Sequence, residues 1–225
     1  MMVNPRLHSE LLGFLVEHTT AHPDQPQLPS LNEIGRQLNI SVARLREQLE
    51  VAKALNLVEV RPRTGIKLTS YNFGSAIWLS LSYALAIDQR HFDQFANLRK
   101  EVEMAFWRQA VDALTSEDKA SLENLVERAF NKLHGTPIRI PHAEHRELHL
   151  RVFQRLDNPF VQGILEAYWN AYEAVGLSIY ADFNYLEQVW AYHKQMIDAI
   201  VAGDTEAGYQ AFVEHADLLQ HIPRD

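Results

Sequence analysis

The 225-residue sequence contains no cysteine. Disulfide staples, cysteine-ligated zinc fingers, iron–sulfur clusters and thiol nucleophiles are therefore excluded, and any metal has to be held by His, Asp or Glu. Also missing is an apolar run of about 18 residues, the length that a membrane-spanning helix needs. The opening stretch MMVNPRLHSELLGFLVEH carries charges inside its apolar part, so neither a membrane span nor a signal peptide is expected and the reading is a soluble, cytoplasmic protein. Proline and glycine thin out after Tyr71, where helical periodicity takes over. The length suits two modest domains, each able to bury a core without staples.

A net charge of −8 argues against a chain that is basic throughout, but the charges are unevenly placed. Residues 1–72 hold eight basic side chains against seven acidic ones, which leaves −9 for the remainder. Between Arg36 and Lys67 seven basic residues (Arg36, Arg44, Arg46, Lys53, Arg61, Arg63, Lys67) stand against three acidic ones (Glu47, Glu50, Glu59). A locally cationic segment on an acidic body is expected when only one end of a protein meets phosphate.

In PRLHSELLGFLVEHTT the apolar residues recur at helical spacing, predicting a first helix over about residues 5–20, ended by the proline-rich HPDQPQLPS. Ser30 with Glu33 has the spacing of a capping box ahead of LNEIGRQLN. Ser41 starts a third helix with Val42, Leu45, Leu49 and Ala52 on one stripe. The period then changes: in LVEVRPRTGIKLTSY, Val58 and Val60 alternate with charged neighbours, predicting two short strands around a turn with Pro62 and Gly65. Three helices and a hairpin make a winged helix-turn-helix. Beyond it, breaks near Asp88, Thr115, Gly135–Pro141, Asn158, Asp182 and Gly203 predict about seven helices in a bundle. The expected organisation is a mainly α protein: a winged helix-turn-helix over 1–70, a linker at 71–75, and an all-helical domain over 76–225.

A recognition helix presents polar and cationic side chains to the major groove while its other face packs on the preceding helix. In SVARLREQLE, Ser41, Arg44, Glu47 and Gln48 lie outside the apolar stripe, with Arg46 flanking it. Arg61, Arg63 and Lys67 fall on the wing, where contacts to phosphate or an adjacent minor groove position a protein without specifying sequence. Ser30 and Arg36 complete the candidate DNA-contacting set. The competing reading is a packing module with solvated charges.

The helical region holds a different chemistry. His145 and His149 are four residues apart, so both rings project from one helical face and could chelate one ion. His193 and His215 sit beside apolar residues on two further predicted helices; taken singly, each suits a packed or capping histidine better than a ligand.

The stretch LPSLNEIGRQLNISVARLREQLEVAKALNLVEVRPRTG resembles the winged helix-turn-helix of the GntR family of transcriptional regulators, with Leu28, Pro29, Ser30, Glu33, Ser41, Arg46, Leu49, Leu57 and Val58 matching in order and spacing. It departs at Asn32, Val42 and Arg44, where the family pattern has Arg, Arg and Pro, so the family's operator does not carry over. The remainder resembles the FCD ligand-binding domain of the FadR-like branch: Arg99 and Glu103 match the R-x-x-x-E of an early helix, HLRVFQRLDNP its H-x-x-I and N-P, and HKQMIDAIVAGDTEAGYQAFVEH its A-I-x-x-G-D motif between two histidines.

In many such domains an Asp and three His coordinate a divalent metal that, with a nearby arginine, holds a carboxylate effector. The resemblance carries the histidines to His149, His193 and His215, places His145 where the family has its aspartate, and implies Arg99 as effector anchor. Four imidazoles suit zinc or nickel. The implied protein is a cytoplasmic homodimer that binds double-stranded operator DNA as a repressor or activator and is controlled by a small, carboxylate-type effector. Two rivals remain. One is a regulator with a metal-free organic or acyl pocket lined by Trp169, Tyr172 and Tyr180. The other, a helical metal hydrolase, lacks H-E-x-x-H, E-x-x-H and His-Asp signatures in this sequence, so no enzyme activity is expected.

Overall fold

The structure, a computed structural model, describes residues 7, 9–176 and 182–218 and divides into two compact units, Met1–Leu79 and Ser80–Asp225.

The first unit contains α1 (Glu10–Ala21), α2 (Leu31–Leu38), α3 (Val42–Ala54), β1 (Val58–Arg61) and β2 (Gly65–Leu68). Helix α1 starts at Glu10, capped by Ser9, whose hydroxyl accepts from the Leu12 N–H; the earlier part of the expected helix, residues 5, 6 and 8, lies outside the described residues. The capping box at the start of α2 is complete: Ser30 Oγ accepts from Glu33 N–H, and the Glu33 carboxylate accepts from the Ser30 N–H at 2.9 Å. Asn39 closes α2 in the left-handed conformation, φ 54°, which asparagine tolerates better than most residues. Gly35 sits in close packing, where a Cβ would stand 3.0 Å from the Ile40 carbonyl oxygen. The core is wholly apolar: Leu11 and Leu15 of α1, Ile34 of α2, Leu45, Leu49 and Ala52 of α3, with Leu28, Val58 and Ile66 closing it.

The hairpin pairs Val58 with Leu68 and Arg61 with Gly65. Val60 shares a face with the buried Val58 but is 42% exposed, although its cross-strand partner Ile66 is buried. The segment 26–28, read from sequence as a plain break, continues the sheet. Leu28 N–H donates to Ile66 O at 2.9 Å and Leu68 N–H to Pro26 O at 2.7 Å, while the Gln27 side-chain amide donates to Thr64 O and Ile66 O.

Among the described residues seven helices follow, as the spacing of breaks predicts: α4 (Phe73–Ile87), α5 (His91–Asp112), α6 (Ser116–Leu133), α7 (His142–Val152), α8 (Pro159–Ala174), α9 (Phe183–Ala202) and α10 (Thr205–Leu218). Residues 73–75 of the expected linker are the first residues of α4, and the two units divide within that helix, after Leu79. After Gly74, FGSAIWLSLSYALAI has no residue that would keep the chain extended.

In the second unit, α9 packs against α10 and α6, α7 against α6, and α8 against α5. Trp107 is central, 1% exposed, stacked on Phe212 with ring centroids 5.3 Å apart and donating its indole N–H to Thr205 O at 3.0 Å. Two polar clamps fix α7 and the turn after it on α6. Buried Glu144 accepts from Arg128 at 3.0 Å and Lys132 at 2.8 Å. Asp118 accepts from Arg155 Nε at 2.8 Å and Gln154 at 2.7 Å, and Arg155 with the Thr115 cap holds its carboxyl well below the usual range. The orientation of α7 matters because it carries two of the four candidate histidines.

Candidate functional site

Two sites stand apart, one on the surface of the first unit and one inside the second. On the first, the apolar stripe of α3 turns inward as expected, and Arg44 and Arg46 are exposed on its other side. Arg36, on α2, is exposed and its Nε donates to Asn32 O. Arg61, Arg63 and Lys67 are exposed on the wing. Arg61 pairs with Glu59 at 2.7 Å; Arg36, Arg46, Arg63 and Lys67 form no ion pair among the described residues. The hydroxyls of Ser30 and Ser41 are engaged as helix caps.

Two members of the set are less free than periodicity suggests. Glu10, on α1, holds Arg44 through one carboxylate oxygen and the Gln48 amide through the other. Gln48 Oε1 in turn accepts from Leu11 N–H at 2.8 Å and Ser9 Oγ at 2.9 Å. Gln48 therefore anchors α1 on α3. Nothing in the spacing of α3 announces this, because the partners lie 37–39 residues earlier.

In the second unit, His145 and His149 from α7, His193 from α9 and His215 from α10 converge. Each offers one nitrogen such that all four lie within 4.8 Å of one another. His149 Nε2 and His193 Nε2 are 3.1 Å apart, and the His193 and His215 ring centroids 4.2 Å. All four are buried, His193 and His215 completely. Burial, reinforced by the Arg99 cation, drives the His215 pKa down to about 3. The other three are also pushed well below 6.5, by burial first and then by neighbouring cationic groups. Burial thus favours the neutral form of all four rings, the metal-binding form of imidazole.

Among the described residues His145 Nε2, His193 Nδ1 and both nitrogens of His215 have no hydrogen-bond partner. Orphaned polar atoms in a dry interior are costly, and four converging imidazoles are a donor set fitted to a borderline divalent cation. Trp169 packs edge-on to His145 with centroids 4.7 Å apart, and Tyr172 flanks the same ring. These aromatics therefore wall the histidine cluster; Tyr180, grouped with them from the sequence, lies outside the described residues. A narrow cleft between Pro141, His142, Tyr172, Tyr185, Leu186 and Trp190 reaches His145, with about 10 Å³ of open space, roughly one water's worth.

Arg99 is 2% exposed on α5, with its guanidinium 4.5 Å from the Tyr168 ring centroid and its Nε 2.6 Å from Glu103 Oε2. Both residues of this pair reach the back of His149: Arg99 Nη2 stands 2.9 Å and Glu103 Oε1 3.2 Å from its Nδ1. A single ring nitrogen either accepts from Arg99 or donates to Glu103. When Nε2 serves as a ligand, Nδ1 carries the proton and Glu103 is the acceptor, an arrangement that orients metal-binding histidines. Burial raises the Glu103 carboxyl to about 7, with Arg99 pulling it back. Sequence reasoning matched Glu103 as a motif position but assigned it no role; its i, i+4 spacing from Arg99 was the available signal.

The family profile of the FCD domain matches residues 94–218. No curated protein sequence matches the chain. Among solved structures, a GntR protein of Streptococcus agalactiae is similar in fold, with TM-score 0.68 and 19% identity over 93% of this chain and 95% of that one. McbR/YncC of E. coli aligns with TM-score 0.50 and 19% identity over 92% and 94%. With the family profile spanning more than half of its residues, the chain belongs to the FCD-domain family.

Proposed function

We propose that the chain is a homodimeric, DNA-binding transcriptional regulator whose operator affinity is controlled by a small anionic effector, a carboxylate, bound at a divalent metal held by His145, His149, His193 and His215. The observation carrying the sensing half is the convergence of four buried, neutral histidines with orphaned nitrogens. The DNA-binding half is supported by the exposed cations of α2, α3 and the wing. Two-fold symmetric half-sites would require a dimer.

A divalent metal, zinc or nickel by ligand type, would supply a Lewis-acidic, positively charged point for an anionic ligand. The protein residues set the charge balance there. His145 contributes no negative charge where the family pattern has aspartate, and the one carboxylate nearby, Glu103, is offset by Arg99. The centre thus favours an anion, with the Arg99 cation close enough to depress all four histidines. The cleft beside His145 is the approach, and its walls have to part for anything larger than water. An effector then acts by binding one arrangement of the dimer better than the other.

The test is metal analysis of protein purified without a polyhistidine tag, as wild type and as His193→Ala. Bound metal in the wild type and its loss in the variant is the expected result; no metal in the wild type even after loading sinks the site. For the DNA half, the wild type should enrich specific fragments from a random DNA pool at moderate salt. No enrichment would overturn operator binding.

A further inference from the structure

Arg44 and Gln48 stand one turn apart on the outward side of α3, where a recognition helix would meet DNA, and both are held by one carboxylate from another helix. Glu10 reaches across from the first turn of α1: one oxygen contacts the Arg44 guanidinium, and the other accepts from Gln48 Nε2 at 2.5 Å. The Arg44 and Glu10 side chains are 58% and 36% exposed, so their contact lies open to solvent and to any competing anion. Its own helix N-terminal N–H, then Gln48 and then Arg44, keep the Glu10 carboxyl below its ordinary value of 4.5, hence ionised at neutral pH.

We propose that Glu10 is an intramolecular competitor for DNA: it occupies Arg44 in the free protein, must release it when a phosphate or base edge arrives, and thereby sets operator affinity and the contribution of Arg44 to it. This rests on the reading of α3 as the recognition helix. An exposed ion pair is weak because both partners are well solvated, so exchanging the carboxylate for phosphate is feasible. The exchange nevertheless costs affinity at every binding event. Gln48 differs in kind. Its Oε1 is committed to the α1 backbone and Ser9, so it stays as the hinge pin about which Glu10 is presented.

Glu10→Gln keeps the side-chain shape and the Gln48 contact while removing the charge that holds Arg44. Fluorescence anisotropy with a generic 25-base-pair duplex, and with any duplex recovered by selection, compares wild type, Glu10→Gln, Arg44→Ala and the double variant across a salt series. Glu10→Gln should bind about 3- to 10-fold more tightly at low salt, the gain shrinking as added salt screens the Arg44–Glu10 pair in the free wild type. In the Arg44→Ala background that gain should disappear, the coupling that a double-mutant cycle isolates. A gain of equal size with and without Arg44 reduces Glu10 to general charge repulsion and overturns the proposal, as does no gain at all. If the wild type and every variant fail to bind either duplex, the recognition-helix reading falls, and the inference with it.

Discussion

The two units solve opposite problems with polar side chains. Among the described residues every buried charged or histidine side chain, from Arg99 and Glu103 through Asp118 and Glu144 to the four histidines, lies in the second unit, whereas the core of the first is entirely aliphatic. The first unit keeps its chemistry outside, where exposed ion pairs exchange at little cost. The second encloses its chemistry where an unpartnered nitrogen is expensive.

The largest effect tests whether the polar interior depends on an apolar frame. Trp107→Ala removes the ring stacked on Phe212 and should destabilise the protein by about 3–5 kcal/mol, read by urea unfolding; a smaller loss means that the frame repacks. Next comes the cost of the orphaned histidines. In metal-free protein His215→Leu should raise stability by about 1–3 kcal/mol, the cost of leaving a buried polar group unpaired, while abolishing any stabilisation by added zinc. Loss of stability without metal would show that His215 has a partner in the folded protein and would erase the contrast between the units.

Acid should separate the units by direction and range. Histidines depressed in the folded state contribute stability that is complete above 6.5 and is lost as pH falls from there toward the value of about 3 held by His215. Glu103, raised to about 7 from 4.5, acts oppositely: its contribution is present below 4.5 and lost as pH rises through 7. Four imidazoles outweigh one carboxyl, so metal-free protein should weaken on going from pH 7.5 to 5. Glu10 and Glu33 in the first unit, lowered from 4.5, release their stabilisation only below that value. Urea midpoints at several pH values check this; a flat profile between 7.5 and 5 contradicts the buried, neutral histidines. The smallest effect is on the outer surface. Arg46→Ala should leave the melting temperature unchanged and make the salt slope of DNA binding shallower by about 0.9. An unchanged slope would remove Arg46 from the contact set.

The sequence is most legible where the cause is local. The Ser30 cap, the period change at Val58 and the six breaks among the later helices each depend on residues within a few positions of one another, and the structure follows them. Convergence of the histidines was not legible from spacing beyond the His145–His149 pair; it came through the resemblance, because α7, α9 and α10 meet only in three dimensions. Glu10 with Arg44, Gln27 with the wing and Glu103 with His149 were invisible for the same reason, each contact spanning more than 30 residues. The linker was misplaced in part because Tyr71–Ser75 reads as a loop by composition, whereas the apolar run after Gly74 supports helix from Phe73.

The hydrogen bonds that tie segment 26–28 to β2 have a kinetic consequence. Leu28 with Ile66 and Pro26 with Leu68 close a chain loop that contains the whole of α2, α3 and β1. Ends separated by that much chain meet late, after the intervening helices have shortened the distance between them. The base of the wing therefore acts as a clasp that shuts once α2 and α3 are in place, so its amide protons should gain protection from exchange after those of α2 and α3 during refolding.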